Sequence, residues 1–274
     1  MSFGDFGNFK KTLKEKPLLG FGSMYSSPGI IERIGQHWDW CWIDMQHGEW
    51  GMHDTIQAIR ACNLIGIYAL VRVPGHSRDA IGKILDAGCH AIMIPMIESR
   101  EEAEAVVAAA RFAPMGQRSY GGRRPIDLYG RAYACSGRTQ PMVVCQIETP
   151  AGFEQVDAIA STDGVDALFF GPDDMALSRN MPMDQPRSEN HFDCEIAAVG
   201  AAAQKYGKIA GGIFVTPERI KKGIELGYHM LVSSGDSALL AGNSLSVSQT
   251  CRKALTDGSF AGSAKAETKV CSVY

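Results

Sequence analysis

The stretch MVVCQIETPAGFEQVDAIASTDGVDALFFGPDD, residues 142–174, reads as one strand–helix–strand unit. Its two apolar runs, 142–149 and 164–171, are short and apolar throughout, as expected of parallel strands covered on both faces. Between them, 152–160 carries helical spacing. Each run ends on acid: Glu148 closes the first, and Asp173 and Asp174 follow the second.

The same rhythm extends outward in both directions. Further apolar runs lie at 18–26, 38–46, 66–74, 91–97, 208–215 and 228–234. Helical patterns alternate with them at 29–35, 54–65, 78–87, 101–112, 193–206, 217–226 and 238–255. Ser77, Ser99 with Glu102 three residues on, and Thr216-Pro217 are helix starts, and Gly88, Gly207 and Gly227 are stops. Eight strands alternating with helices predict a single-domain α/β (β/α)8 barrel of the TIM type. An open, doubly wound sheet is the alternative, because periodicity does not register closure. The expected organisation is an extension at 1–17, a barrel domain at 18–258 and a flexible tail at 259–274. The stretch 114–141 is long for a barrel loop, which points to function or an interface.

Composition narrows the class of function. Among 274 residues, 27 Lys+Arg against 30 Asp+Glu leave a net charge of −3, so no basic footprint for nucleic acid or acidic lipid exists. No apolar run approaches the ~18 residues of a membrane helix, and the Lys-rich start lacks the apolar core of a secretory signal. The eight cysteines have no CxxC or zinc-ribbon spacing, and Cys41, Cys89 and Cys145 sit in or beside apolar runs. A reduced, cytoplasmic chain is the expectation.

In such a barrel the C-terminal ends of the strands build the active site. The polar residues placed there are Asp44 and His47, Arg72, Glu148, and Asp173 and Asp174. No lysine ends a strand, which disfavours imine chemistry. Glu148 alone reads equally well as an ion-paired carboxylate, for instance with Arg72. Beside Asp174 on the next strand end it becomes half of a pair that repels unless a cation or proton intervenes, and such pairs bind hard divalent ions. Arg72, set in the apolar run Leu70-Val71-Arg72-Val73-Pro74, must meet an anion, either structural or substrate. His47 is a loop histidine singled out by position alone. Asp86 reads as a helix-end carboxylate, or as the group orienting His47. Gly171-Pro172-Asp173-Asp174 offers backbone N–H groups to an anion.

These residues together resemble the HpcH/HpaI aldolases, metal-dependent class II pyruvate aldolases that cleave 2-oxo-4-hydroxy acids. The resemblance covers about residues 18–240. It rests on Trp42-Ile43-Asp44 with His47, Leu70-Val71-Arg72-Val73-Pro74, Leu85-Asp86-Ala87-Gly88, Ile94-Pro95-Met96, Pro114-Met115-Gly116-Gln117-Arg118, Gln146-Ile147-Glu148 and Phe170-Gly171-Pro172-Asp173-Asp174.

The resemblance implies cleavage of a 2-keto-3-deoxy sugar acid or 4-hydroxy-2-oxo-dioic acid to pyruvate and an aldehyde. Glu148 and Asp174 match the ligands of a Mg²⁺, Mn²⁺ or Co²⁺ ion. Arg72 matches the arginine that stabilises the enolate, His47 the base acting through water, and Asp86 the carboxylate that tunes it. Gln146, Gly171 and the backbone at Asp173 and Asp174 match the groups that hold pyruvate. It also implies a homo-oligomer, trimer or hexamer, with the C-terminal helix exchanged between subunits. The chain departs from the family pattern at Gln46-His47-Gly48-Glu49-Trp50 and at Gly121-Gly122-Arg123-Arg124-Pro125. Both departures concern the aldehyde side, where Arg123 and Arg124 are assigned to an anionic distal group or a neighbouring subunit. The alternatives are a macrophomate-synthase-like or citramalyl-CoA-type lyase on the same site, and a non-catalytic barrel that binds a 2-oxo acid.

Overall fold

The computed structural model describes residues 7–135, 140–184 and 191–257. The chain begins with α1 (Gly7–Glu15), β1 (Leu18–Ser23), α2 (Pro28–Ile34), β2 (Trp40–Asp44), α3 (Met52–Ile65), β3 (Tyr68–Arg72) and α4 (Arg78–Ala87). It continues with β4 (Ala91–Ile94), α5 (Arg100–Ala110), α6 (Arg123–Tyr129), β5 (Met142–Ile147), α7 (Pro150–Glu154), α8 (Val156–Ala160), β6 (Ala167–Phe170) and α9 (Pro172–Ser178). It ends with α10 (Asp193–Lys205), β7 (Ile209–Ile213), α11 (Pro217–Glu225), β8 (Tyr228–Gly235) and α12 (Asp236–Asp257). The eight strands form a closed, all-parallel barrel in sequence order, which settles closure in favour of the barrel. The first compact unit runs to Ser237; a second begins at Ala238 and holds the rest of α12. The tail expected at 259–274 lies outside the described residues.

A two-residue period sorts the strand side chains. Outward-facing residues such as Cys41, Ile43, Val71, Ile92, Val143 and Leu168 pack under the helices. Trp40, Trp42, Leu70, Met93, Val144 and Phe169 point inward and fill the barrel. The interior is tight: a Cβ on Gly20 would stand 2.2 Å from the Trp40 ring. Helix starts follow their caps. Ser99 Oγ accepts from Glu102 N–H at 3.2 Å, Thr149 Oγ1 from Gly152 N–H at 3.1 Å, and Thr216 Oγ1 from Arg219 N–H at 3.3 Å.

Three local features differ from the sequence expectation. The extension contains α1, whose Phe9 and Leu13 are fully buried among the inward-facing strand residues, with Phe9 stacked on Tyr68 at 4.5 Å. Burying these two side chains contributes about 1.5–3 kcal/mol each, enough to hold a Lys-rich segment in place. The long stretch at 114–141 carries α6 and a 3₁₀ turn, Arg131–Cys135; of its residues, 136–139 lie outside the described ones. The helix expected at 152–160 is two short helices that meet at Gln155.

Candidate active site

The inward period continues past the apolar layers and turns polar at the strand ends. Above Trp42 on β2 comes Asp44, above Leu70 on β3 comes Arg72, and above Val144 on β5 come Gln146 and then Glu148. Above Phe169 on β6 comes Gly171. Trp42, Arg72, Gln146, Glu148 and Gly171 line one cavity of about 200 Å³, together with His47, Pro172, Asp173 and Asp174, and Asp44 sits behind Arg72. Seven of the ten residues assigned from sequence, His47, Arg72, Gln146, Glu148, Gly171, Asp173 and Asp174, thus line a single cavity, and Asp86, Arg123 and Arg124 do not.

Asp44 and Arg72 are register partners on adjacent strands. Arg72 Nε donates to Asp44 Oδ1 at 2.9 Å, and Nη1 lies 3.4 Å from Gln146 Oε1. The guanidinium stands 4.6 Å from the centre of the Trp42 ring. Its structural anion is therefore Asp44, not Glu148. Asp44 Oδ1 also accepts the backbone N–H of Gln46 at 3.0 Å and of His47 at 3.4 Å, so one carboxylate fixes both the arginine and the start of the histidine loop. His47 itself is exposed at the rim.

Glu148 is buried, and its Oε1 accepts from Met96 N–H at 2.9 Å. Met96 adopts φ 55°, a left-handed conformation uncommon outside glycine, beside this contact. Burial pushes the Glu148 carboxyl up to about 7. The Met96 N–H and Arg72 oppose that rise, whereas the neighbouring Asp174 carboxyl adds to it. Gly171 leaves the space this pair needs: a Cβ there would stand 2.7 Å from Glu148 Oε2 and 2.8 Å from Gln146 Nε2.

The donor chemistry fits a hard divalent ion. Two converging carboxylates, one reluctant to ionise alone, gain most from a cation between them. Among the described residues no group of three or more His, Cys, Asp and Glu could hold a metal. Water and substrate oxygens must therefore complete the shell of any ion held by Glu148 and Asp174.

The remaining assigned residues lie elsewhere in the chain. Asp86 occupies the last turn of α4, at the end of the barrel where strands begin, and its Oδ1 accepts from Arg118 Nη2 at 2.8 Å. It lines a cavity of about 300 Å³ with Arg60, Lys83, Arg123 and Arg124. Arg123 pairs with Asp127 one turn away, and Arg124 Nη1 donates to Ala87 O at 2.7 Å. None of the three lines the cavity of Glu148 within one chain. Conversely, sequence reasoning gave no role to Met96, nor to Leu177, Met183 and Ile213, which form the apolar wall. Of these, only Met96 lay in a quoted motif, and its φ carries no sequence signal.

An eight-stranded barrel with paired carboxylates and an arginine at its mouth defines a class of barrel lyases and their relatives. The profile of the HpcH/HpaI aldolase/citrate lyase family matches residues 25–240, and the chain belongs to that family. It is 34% identical over 241 residues to a 4-hydroxy-2-oxovalerate aldolase of Novosphingobium aromaticivorans, covering 85% of this chain and 90% of that protein. A hydroxypyruvate/pyruvate aldolase of Rhizorhabdus wittichii is 31% identical, over 73% of this chain and 79% of that one. The crystal structure of an HpcH/HpaI aldolase/citrate lyase family protein from Burkholderia cenocepacia superposes with a TM-score of 0.81 at 28% identity, covering 89% of this chain and 99% of that one. HpcH/HpaI aldolases depend in general on a divalent metal. No described helix is long and apolar enough to cross a membrane.

Proposed function

We propose that the protein is a class II aldolase that reversibly cleaves a 2-oxo-4-hydroxy acid to pyruvate and an aldehyde. The observation that carries this reading is the convergence of Glu148 and Asp174 beside Arg72 in one cavity. Glu148 and Asp174 would hold Mg²⁺, Mn²⁺ or Co²⁺, which when bound supplies Lewis-acid polarisation of a keto oxygen. Arg72, kept rigid by Asp44, presents Nη1 toward the negative charge that develops on that oxygen. Gln146 and the backbone at Gly171, Asp173 and Asp174 orient the keto acid. His47, at the rim, takes the proton of the 4-hydroxyl through water as the C3–C4 bond breaks.

Asp86 can serve a His47 only of a second copy of the chain, and Arg123 and Arg124, which share its remote cavity, are assigned to the contact with that copy. A homo-oligomer is accordingly part of the proposal. In α12 every residue from Leu240 to Leu255 is exposed, including Leu240, Leu245, Val247 and Leu255, and exchange of this helix between subunits would cover them. The test is exchange of pyruvate methyl protons, followed by NMR with Mn²⁺ or Mg²⁺. Exchange that stops with excess chelator supports the reading; full exchange in chelator, or pyruvate binding without exchange, refutes it.

A further inference from the structure

A second cavity adjoins the first, and Pro172 and Ile213 belong to the walls of both. It encloses about 250 Å³ beside the upper ends of β6 and β7, against α10 and α11. Phe170, Phe192, Ile196, Phe214 and Tyr228 form its buried wall, and Val215, 65% exposed, stands at its rim. Its polar groups are already engaged. The Tyr228 hydroxyl donates to Ile196 O at 2.8 Å, Thr216 Oγ1 caps α11, and Arg219 Nη1 binds Asp193 Oδ1 at 2.6 Å. What it offers a guest is chiefly hydrocarbon, from its aromatic rings and from Ile196, Ile213 and Val215.

We propose that this cavity receives the apolar substituent of the aldehyde, so that the preferred partner of pyruvate is an alkyl or aryl aldehyde. The proposal rests on the aldolase reading above. In the direction of addition, a bond forms between the pyruvate methyl carbon and the aldehyde carbon. The methyl group loses a proton and the aldehyde oxygen, now a hydroxyl, gains one. The substituent must then leave the first cavity on its apolar side, past Leu177, Met183 and Ile213, and Ile213 is the shared wall. An anionic substituent finds little there. Arg72 is the one Arg or Lys lining the catalytic cavity among the described residues, and its charge is matched by Asp44. Size agrees as well: a dry apolar cavity of about 150 Å³ holds benzene, so 250 Å³ accepts a phenyl ring or a short alkyl chain.

The experiment compares wild type with Val215→Trp, which closes the rim at an exposed position, and Ile196→Phe, which fills the floor. Readouts are kcat/KM for addition of pyruvate to acetaldehyde, butanal, hexanal, phenylacetaldehyde and succinic semialdehyde, with methyl-proton exchange measured without aldehyde. Wild type should gain about three- to fourfold per added methylene. Val215→Trp should lose at least tenfold on hexanal and phenylacetaldehyde while acetaldehyde addition and proton exchange stay unchanged. Benzyl alcohol binding, read by saturation-transfer NMR and independent of turnover, should be lost in the same variant. Preference for succinic semialdehyde, or equal treatment of long and short aldehydes by all three proteins, overturns the proposal and leaves a structural void. Wild type without proton exchange overturns the aldolase reading and this one with it, whereas exchange without chain-length gain overturns this one alone.

Discussion

Arg72 and Asp44 face each other across β3 and β2, and the guanidinium grips the carboxylate with two prongs, Nε to Oδ1 at 2.9 Å and Nη2 to Oδ2 at 2.5 Å. Both are buried, so the pair is a fixed part of the barrel mouth and not a surface contact. The fork spends two of the arginine's donors on orientation and leaves Nη1 facing Gln146 and the cavity. A planar group held this way supplies charge at one place with little reorganisation.

Removing one member leaves the other's charge buried and unmatched. Asp44→Ala should lower stability by about 3–5 kcal/mol, measured by urea unfolding. Arg72→Lys keeps the charge and loses the fork. Its expected signature is a fall in kcat of about 10²-fold with KM little changed.

Glu148 makes stability depend on pH in a defined direction. Its carboxyl, near 4.5 in the unfolded chain and about 7 when folded, holds a proton between those values that the unfolded state has released. The Glu148 contribution to unfolding free energy in the metal-free protein should therefore fall by roughly 3 kcal/mol as pH rises from 4.5 through 7. Thermal unfolding in chelator, wild type minus Glu148→Gln at each pH, isolates it: the difference should shift by that amount between pH 4.5 and 7. Mn²⁺ should raise the melting temperature of wild type more at pH 8 than at pH 5.

Gly171→Ala isolates the effect of space at the site. At φ −105° alanine is unstrained, so the whole penalty is the contact with Glu148 and Gln146. Mn²⁺ affinity, measured by calorimetry, should drop at least tenfold. Unchanged affinity would mean that Glu148 moves aside without consequence.

His90 acts in the opposite direction. Burial, with a smaller push from Arg124, lowers its imidazole to about 4, and Nδ1 accepts from Ala69 N–H at 3.0 Å. The unfolded chain takes up a proton near 6.5 that the folded state refuses until about 4. The His90 contribution is thus full above 6.5 and declines by roughly 3 kcal/mol as pH falls through that window, offsetting that of Glu148 in wild type. In His90→Gln the urea midpoint should therefore rise as pH falls from 7 to 4.5, where wild type stays nearly level.

The barrel was legible because eight apolar runs alternate with capped helices, and each run is too short and too uniform to be anything but a covered strand. Glu148, Asp174 and Arg72 were legible for a related reason: each stands at or just past the end of an apolar run, where a barrel builds its mouth, whereas Gln146 came only with the family resemblance. Asp86 shows where such reasoning stops. Its motif suggests a partner for His47, yet a helix returning from β3 carries its last turn to the opposite end of the barrel. The pairing of Arg72 with Asp44 depends on register between strands, which neither strand encodes alone. Phe9 and Leu13 are spaced one helical turn apart, but the lysines around them mask an apolar face only two residues wide.

That small face has a kinetic consequence. With the barrel interior packed from Phe9 and Leu13 up through Trp42 and Phe169, the well at Glu148 has no exit along the barrel axis, and whatever enters leaves on the mouth side. Two fragments released in a blind well leave in a queue, the one nearer the opening first. For a carbon–carbon cleavage at this mouth the aldehyde departs ahead of the keto acid, and a crowd of either product outside slows the line differently.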